Sequence, residues 1–281
     1  MPQARLFRPT RLAEAVAILG EHAGSAAPLA GATWMMRAPI RGEAGHAAYV
    51  ALGGIDALRQ VRVTEGEVAL GAAVTHAAVV AALAGLADCA GLASAAAMAA
   101  NPAIRQVATL GGNLCAASFA AADLVPALLC LDAVVDLASP QGEESLDLAE
   151  FLLRRPHLAP GTVLSRVRFA RRAQRTAHIR LPLRKAGDYP VAIVSLAVRH
   201  GADGQIATSR VAVGSVEPVA RRWPAVEAAL TRLDPEAAAE AARAHAGDWQ
   251  GRDGVEAPGW YRVQVLPALL RRAVHRLGDR S

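Results

Sequence analysis

The chain has 281 residues, and at 100–200 residues per domain this length indicates two domains. The composition is 53% hydrophobic and 20% charged, which excludes a disordered or collagen-like chain. The net charge of +5 raises the question of nucleic acid, but the basic residues are scattered among acids and Lys185 is the only lysine. An arginine-rich nucleic-acid binder is therefore the least supported class.

The three cysteines are Cys89, Cys115 and Cys130, and they form no CxxC pair. This number and spacing exclude a four-thiolate zinc site and an iron–sulfur cluster within the chain. The N-terminal residues lack the apolar run of a signal peptide, and Asp88 interrupts the alanine-rich stretch 77–100. We therefore expect a cytoplasmic protein with no membrane span.

The first half of the chain mixes helices with short strands. Thr10 is a plausible N-cap for an amphipathic helix over 11–22. A strand at 27–30 ends at Gly31, where a glycine turn leads into a short helix, a geometry that suits phosphate. The further predictions are a strand at 49–52, a hairpin at 61–63 and 68–70, helices at 76–84, 91–100 and 124–131, and strands at 134–137 and 163–169.

The second half of the chain has a different order of elements. Its start, at 170–178, is polar and suits a domain junction. Strands are then predicted at 177–184, 191–200 and 205–213, with a turn at 201–204, and helices at 223–231, 234–246 and 259–276. Strands followed by helices indicate an α+β domain.

Two glycine motifs are the candidate ligand loops. Thr109-Leu110-Gly111-Gly112-Asn113 has paired glycines where a strand-like segment has to turn, so a ligand could lie on the backbone. An ordinary tight turn is the alternative, and Gly31-Ala32-Thr33 poses the same choice. No nicotinamide-type Rossmann fingerprint, P-loop, GxSxG or HExxH motif occurs, so those nucleotide folds and hydrolase classes lack support.

Six short motifs follow one another along nearly the whole chain. They are Phe7-Arg8-Pro9-Thr10, Leu29-Ala30-Gly31-Ala32-Thr33, Gly71-Ala72 with Thr75-His76, the run 108–115, Arg184-Lys185-Ala186-Gly187-Asp188-Tyr189, and the run 211–216. In this order they resemble the FAD-binding medium subunits of molybdenum hydroxylases, such as carbon monoxide dehydrogenase and xanthine dehydrogenase.

The resemblance implies a mixed α/β and α+β fold. Residues 1–172 would form a PCMH-type FAD-binding domain of two α/β subdomains, divided at about 55/56. Residues 173–281 would form a smaller α+β domain with a three-stranded antiparallel sheet and helices.

The resemblance also implies which residues contact FAD. The first loop along the chain, at 30–35, would cradle the diphosphate. The second loop, at 109–113, would line the flavin and the diphosphate. Asp123 would lie near the adenosine ribose, Tyr189 near the isoalloxazine, and Leu164 would make an apolar contact. The implied cofactor contacts are Ala30, Gly31, Ala32, Thr33, Trp34, Met35, Thr75, Thr109, Gly111, Gly112, Asn113, Asp123, Leu164, Lys185, Asp188 and Tyr189. No catalytic side chain and no metal ligand are expected in this chain.

The function implied by the resemblance is electron transfer within an oxidoreductase complex. Electrons would pass from [2Fe–2S] clusters of a small partner subunit through FAD to an external acceptor, while a large partner subunit holds the molybdenum cofactor. A dimer of such heterotrimers would be the assembly. The alternative is a structural or assembly subunit with weak or lost FAD binding, because Ala32 replaces a family glycine and Asn113 lies one residue farther than usual from Asp123.

Other notable side chains have structural interpretations. His76 is expected to be a capping or surface histidine, and Cys115 a small buried side chain. Trp223, Trp249 and Trp260 are expected to pack the C-terminal domain.

Overall fold

A computed structural model describes residues 4–183, 189–203 and 205–278. Its strands are β1 (Arg5–Phe7), β2 (Ala26–Leu29), β3 (Ala48–Ala51), β4 (Val61–Val63), β5 (Glu67–Gly71), β6 (Val134–Ser139), β7 (Gly142–Asp147), β8 (Val163–Ala170), β9 (Arg175–Pro182), β10 (Pro190–His200), β11 (Ile206–Gly214) and β12 (Arg221–Arg222). Its α-helices are α1 (Leu12–Glu21), α2 (His76–Ala82), α3 (Ala90–Met98), α4 (Pro102–Arg105), α5 (Leu110–Cys115), α6 (Leu124–Cys130), α7 (Leu148–Arg154), α8 (Pro224–Ala229), α9 (Pro235–Ala244), α10 (Gly259–Gln264) and α11 (Leu266–Gly278). Short 3-10 helices cover Met35–Arg41, Asp56–Arg59, Ala87–Cys89, Arg155–His157 and Ala246–Asp248.

The chain packs as two compact units, each built from separate segments. The first unit contains the residues up to Ala82, 102–117 and 133–170, and the second contains 83–101, 118–132 and the residues from Arg171 onward. The mixed α/β and α+β class expected from the sequence is confirmed. The domain boundary at 172 and the subdomain division at 55/56 stay predictions.

The first unit contains two sheets. A parallel sheet has the order β1-β3-β2, and an antiparallel sheet has the order β4-β5-β8-β6-β7. Helix α1 buries Ala15, Val16 and Leu19 in a cluster that includes Val50 and Leu52, as its apolar spacing predicted.

The sequence pattern missed several elements of the first unit, among them β7, α7 and β1. Strand β7 is the edge strand of its sheet and has a single buried residue, Leu146, so the period-two alternation of a half-buried strand is absent. Helix α7, which follows it directly, and the three-residue strand β1 were also not predicted.

The second unit has one antiparallel sheet covered by helices. Its order is β12-β11-β10-β9, so the three predicted strands are present and the two-residue β12 adds a fourth. Strand β10 is buried from Pro190 to Val198, and α9 and α11 share its core cluster. The single helix predicted at 259–276 is two helices, α10 and α11.

The tryptophans of this unit differ in their packing. Trp223 and Trp249 are buried edge to face, with ring centroids 5.5 Å apart, as expected. Trp260 was expected in the core but is 67% exposed, because it lies on the outer side of α10.

Asp132 is the anion of an arginine cluster in the second unit. Arg172 Nη1 lies 2.7 Å from Oδ2 of Asp132, while Arg210 Nε and Arg222 Nη1 lie 2.6 and 3.1 Å from Oδ1. Burial acts to raise the pKa of Asp132, but the hydrogen bonds from Arg172 and Arg210 outweigh it and lower the pKa below its ordinary value. Ionised Asp132 therefore stabilises the fold.

We expect the Asp132→Asn variant to be less stable at pH 7 by about 1 kcal/mol, a value reduced by solvent screening at this half-buried site. Asparagine tolerates the left-handed φ of +50° at this position. Because the folded-state pKa is depressed, the contribution is complete above the unfolded value of about 3.9 and is lost as the pH falls through the folded value. Urea unfolding of both proteins from pH 7 to pH 3 measures this, and a difference that stays constant over that range would contradict it.

The three cysteines lie in different surroundings. Cys89 and Cys130 are buried, and burial raises the pKa of each thiol to about 12, so neither is a reactive thiolate near neutral pH. Cys115 was expected to be buried; the residue as a whole is exposed at the end of the short helix α5, while burial of its thiol raises the pKa to about 11.

Two kinds of feature are absent from the described residues. No helix there combines the length and apolar character needed to cross a bilayer. No group of three or more His, Cys, Asp or Glu side chains in those residues could hold a metal ion.

Candidate functional site

The first glycine motif is a tight turn between β2 and a 3-10 helix. Strand β2 ends at Leu29, whose carbonyl accepts a hydrogen bond from Leu52 N at 2.8 Å. Ala32 then adopts a left-handed backbone with φ of +60°, and its carbonyl accepts from Met36 N at 2.8 Å. The predicted glycine turn and short helix are therefore both present, and an alanine occupies the position where a glycine has no steric cost.

Three successive backbone N–H groups of this turn are open. Those of Gly31, Ala32 and Thr33 donate no hydrogen bond to another group in the described part of the chain. Successive N–H groups around a left-handed residue form a concave site for an anion. This arrangement fits the diphosphate of FAD without a lysine.

Trp34 and Met35 continue the turn into the helix Met35–Arg41. The guanidinium of Arg41 lies 3.9 Å from the Trp34 ring centroid, and its Nη1 donates to the Trp34 carbonyl at 2.9 Å. This contact holds Trp34 beside the turn. Ala30 lies between β2 and the turn and is partly exposed.

The second glycine motif is not an open turn. Residues Leu110–Cys115 form helix α5, so Gly111 and Gly112 lie inside a helix. The hydroxyl oxygen of Thr109 caps this helix by accepting from Gly112 N at 3.1 Å. The prediction of a turning strand-like segment is wrong here because the threonine cap begins a helix directly before the glycines.

Gly111 is needed for a close approach between two segments. A Cβ on Gly111 would lie 2.8 Å from Ala72 Cβ, and Gly111 N donates to Ala72 O at 2.8 Å. One residue earlier, Leu110 N donates to Val74 O at 2.9 Å. The N–H of Gly111 is thus used within the protein rather than left for a ligand.

The separate motifs of the first unit converge near Ala108. A Cβ on Gly31 would lie 2.9 Å from the Val107 carbonyl carbon and 3.0 Å from Ala108 Cα. On the other side, His76 N donates to Ala108 O at 2.9 Å, and Thr75 pairs with Thr109 in an isolated antiparallel bridge. The fold therefore joins the first loop, Thr75 and the second motif, which are far apart in sequence.

The two threonines act as helix caps. Thr75 Oγ1 accepts from Ala78 N at 3.2 Å at the start of α2, as Thr109 does in α5. In each cap the hydroxyl oxygen accepts, so its hydrogen can still be donated to a phosphate or ring acceptor. Asn113 is buried at 9% exposure, and its backbone N–H donates to Thr109 O.

Leu164 lies in β8, paired with Leu137 and buried. The next residue, Ser165, accepts a hydrogen bond from Ala72 N at 3.0 Å. Leu164 is therefore adjacent in sequence to the residue that bonds to Ala72, which in turn packs on Gly111.

His76 is buried at 3% exposure, so the expectation of a surface histidine is wrong. It is the first residue of α2, directly after the capping Thr75.

Asp123 belongs to a buried polar network in the second unit. Its Oδ1 lies 3.0 Å from Arg180 Nε and 3.4 Å from His178 Nε2, and His178 Nδ1 lies 2.8 Å from Ser195 Oγ. Aspartate, histidine and serine follow the order of a hydrolase triad, but each is at most 3% exposed, which denies a substrate access to the hydroxyl. The network is structural, and Asp123 is held by its own unit.

Of the implied cofactor contacts Lys185, Asp188 and Tyr189, the structure describes Tyr189. Its ring lies edge to face with Phe119, with centroids 5.0 Å apart and an interplanar angle of 64°. Lys185 and Asp188, which precede it, lie outside the described residues.

Sequence reasoning missed Phe119, the ring partner of Tyr189, and the buried Arg262. Neither residue was predicted from the sequence as part of the site. Arg262 is fully buried in α10 and precedes the buried Leu266 of α11 by four residues. An arginine at helical spacing from an apolar face was therefore the signal that could have identified it as buried.

The comparisons with known proteins bear on the whole chain. Residues 2–170 match the family described as the FAD binding domain in molybdopterin dehydrogenase, which is more than half of the chain. The chain belongs to this family. Residues 177–277 of this molybdopterin dehydrogenase flavoprotein match the CO dehydrogenase flavoprotein C-terminal domain.

Relatives and a solved structure agree with this assignment. The molybdopterin dehydrogenase flavoprotein is 29% identical over 235 residues to the nicotine 6-hydroxylase medium subunit of Paenarthrobacter nicotinovorans, with 82% of each chain covered. It is 28% identical over 288 residues to the carbon monoxide dehydrogenase medium chain of Afipia carboxidovorans, covering 98% of this chain and 96% of that one. A chain of reconstituted CO dehydrogenase from Oligotropha carboxidovorans superposes with a TM-score of 0.89 at 25% identity, with both chains fully covered.

The family predicted from the six motifs is thus confirmed, and with it an FAD-binding domain in an oxidoreductase subunit of the molybdenum hydroxylases.

Proposed function

We propose that this subunit binds FAD through the first glycine turn and passes electrons from the [2Fe–2S] clusters of a small partner subunit to an external acceptor. The observation that carries the proposal is the turn at Gly31–Thr33, with open N–H groups and a left-handed Ala32, held beside Thr75 and Thr109. When bound, the flavin supplies the one- and two-electron chemistry.

The protein's own residues bind and orient the cofactor. The N–H groups of Gly31, Ala32 and Thr33 would donate to the diphosphate. The capping hydroxyls of Thr75 and Thr109 would donate from the neighbouring segment, and Tyr189 would lie against the ring system. The contacts for Asn113, Asp123, Leu164, Lys185 and Asp188 stay predictions.

The proposed assembly has a large subunit that holds the molybdenum cofactor and a small subunit that holds the clusters. Support comes from the relatives, which are named a medium subunit and a medium chain and thus have larger and smaller partners. The dimer of heterotrimers and the cytoplasmic location also stay predictions.

FAD binding is tested with the full chain, expressed alone and together with its two partner subunits. We expect a flavin absorption spectrum after purification or after reconstitution with FAD, and release of FAD on denaturation. A chain that binds no FAD under either condition would contradict the proposal and favour the assembly-subunit alternative.

The Ala32→Gly variant separates a working site from a degenerate one. Glycine at this left-handed position removes about 1 kcal/mol of backbone strain. The higher conformational entropy of the unfolded glycine chain offsets part of that gain in stability. Because the turn is already formed, we expect the Kd for FAD to stay within about threefold of the wild-type value. Fluorescence titration measures it, and a gain in affinity of about tenfold or more would favour the degenerate site.

A further inference from the structure

Arg262 is a fully buried arginine whose donors reach two strand ends. Nη1 donates to Val191 O at 2.7 Å, at the start of β10, and to Ser215 O at 3.2 Å, directly after β11. Nη2 pairs with Glu256 at 3.0 Å. A guanidinium is rarely buried to this extent, and here one side chain joins the ends of two neighbouring strands.

Ser215 is the meeting point of these bonds and has a left-handed backbone with φ of +65°. Its carbonyl and hydroxyl oxygens also accept from Arg252, at 3.0 and 3.1 Å. Its hydroxyl donates to Pro190 O at 2.6 Å, and its N–H donates to Ala120 O at 3.1 Å. A serine keeps such a backbone only where its surroundings fix it, and such positions are concentrated at functional sites.

The bonds of Ser215 end beside an aromatic pair. Pro190 and Val191 directly follow Tyr189, and Ala120 directly follows Phe119. The Tyr189 and Phe119 rings contact each other edge to face. The cluster of Ser215, Arg252, Arg262 and Glu256, here called the Ser215 cluster, thus holds the backbone next to both rings.

We propose that Arg262 and Ser215 are positioning residues that fix Tyr189 for its contact with the isoalloxazine ring of FAD. The inference rests on the proposed function, in which Tyr189 lies against that ring. Loss of either residue frees the start of β10 and lets the phenol leave its place.

The test uses the full chain with FAD bound and compares Ser215→Gly, Arg262→Lys and Tyr189→Ala. Glycine accepts the φ of +65° without strain, so Ser215→Gly folds even if loss of the buried guanidinium prevents folding in Arg262→Lys. Arg271→Gln is the matched control, since Arg271 is exposed on α11 and pairs with Glu236 instead. The readouts are the fluorescence of bound FAD, which a neighbouring phenol quenches, and the Kd for FAD.

We expect Tyr189→Ala and Ser215→Gly to raise the fluorescence of bound FAD and to weaken binding about threefold to tenfold, with Arg271→Gln unchanged. If Ser215→Gly kept the wild-type fluorescence and Kd while Tyr189→Ala altered both, the positioning role would be overturned and the proposed function would stand. Unaltered fluorescence and Kd in Tyr189→Ala would also overturn the inference, because they would show that Tyr189 does not contact the isoalloxazine ring. A wild-type chain that binds no FAD would instead contradict the proposed function.

Discussion

Replacing Gly31 with alanine is expected to destabilise the first unit by about 3 kcal/mol and to abolish tight FAD binding. The new methyl group would lie 2.9 Å from the Val107 carbonyl carbon and closer still to its oxygen. Neither atom can rotate away, because both belong to the backbone that leads into Ala108 and the Thr109 cap. The upper end of the usual overpacking cost therefore applies.

Urea unfolding of the FAD-free protein measures the loss of stability, and an FAD titration measures the loss of binding. Gly53→Ala is the matched control, because a Cβ there meets no atom within 4 Å. We expect its free energy of unfolding to stay within about 1 kcal/mol of the wild-type value. If both glycine variants unfolded alike, the close packing of the first turn on Val107 and Ala108 would be refuted.

The Asp123→Asn variant is expected to lose about 3–5 kcal/mol of stability, because it leaves the charge of Arg180 buried without its carboxylate. The side chains of Asp123 and Arg180 are 2% and 10% exposed, so water cannot replace the lost partner. Urea unfolding followed by circular dichroism measures the change.

A double variant separates charge from packing at this position. Asp123→Leu combined with Arg180→Met removes both charges, and we expect it to recover most of the stability lost in Asp123→Asn. The exposed pair of Asp56 and Arg59 supplies the control, and Asp56→Asn should cost about 0.5 kcal/mol or less. Equal effects of Asp123→Asn and Asp56→Asn would show that the buried ion pair does not stabilise the second unit.

The sequence predicted elements well wherever apolar periodicity was strong. Helix α1 and strands β8 to β11 lie within one or two residues of their predicted limits, because α1 buries one face and each of these strands has apolar residues in a run or at alternate positions. The polar edge strand β7 has no such pattern and was not predicted, and neither was the helix α7 that follows it.

The candidate site was predicted from motifs, and its geometry was not. A paired glycine suggests a turn, but the helix at Leu110–Cys115 depends on the Thr109 cap and on the approach of Ala72, which lies far away in sequence. The same limit applies to Asp123 and Arg262. Their partners lie on strands that are distant in sequence, so residue spacing within one segment cannot predict these contacts.

The segmented build of the two units has a consequence for how the chain folds during synthesis. All seven residues of α6 are buried, and the helix packs on β10 and β11, which leave the ribosome much later. Until those strands are made, Leu124–Cys130 is an uncovered apolar helix, and the first unit in turn waits for β8 to fill the middle of its sheet. A chain that ends near residue 172 would therefore keep α3 and α6 without the sheet that covers them, and we expect such a fragment to aggregate instead of folding as a separate flavin domain.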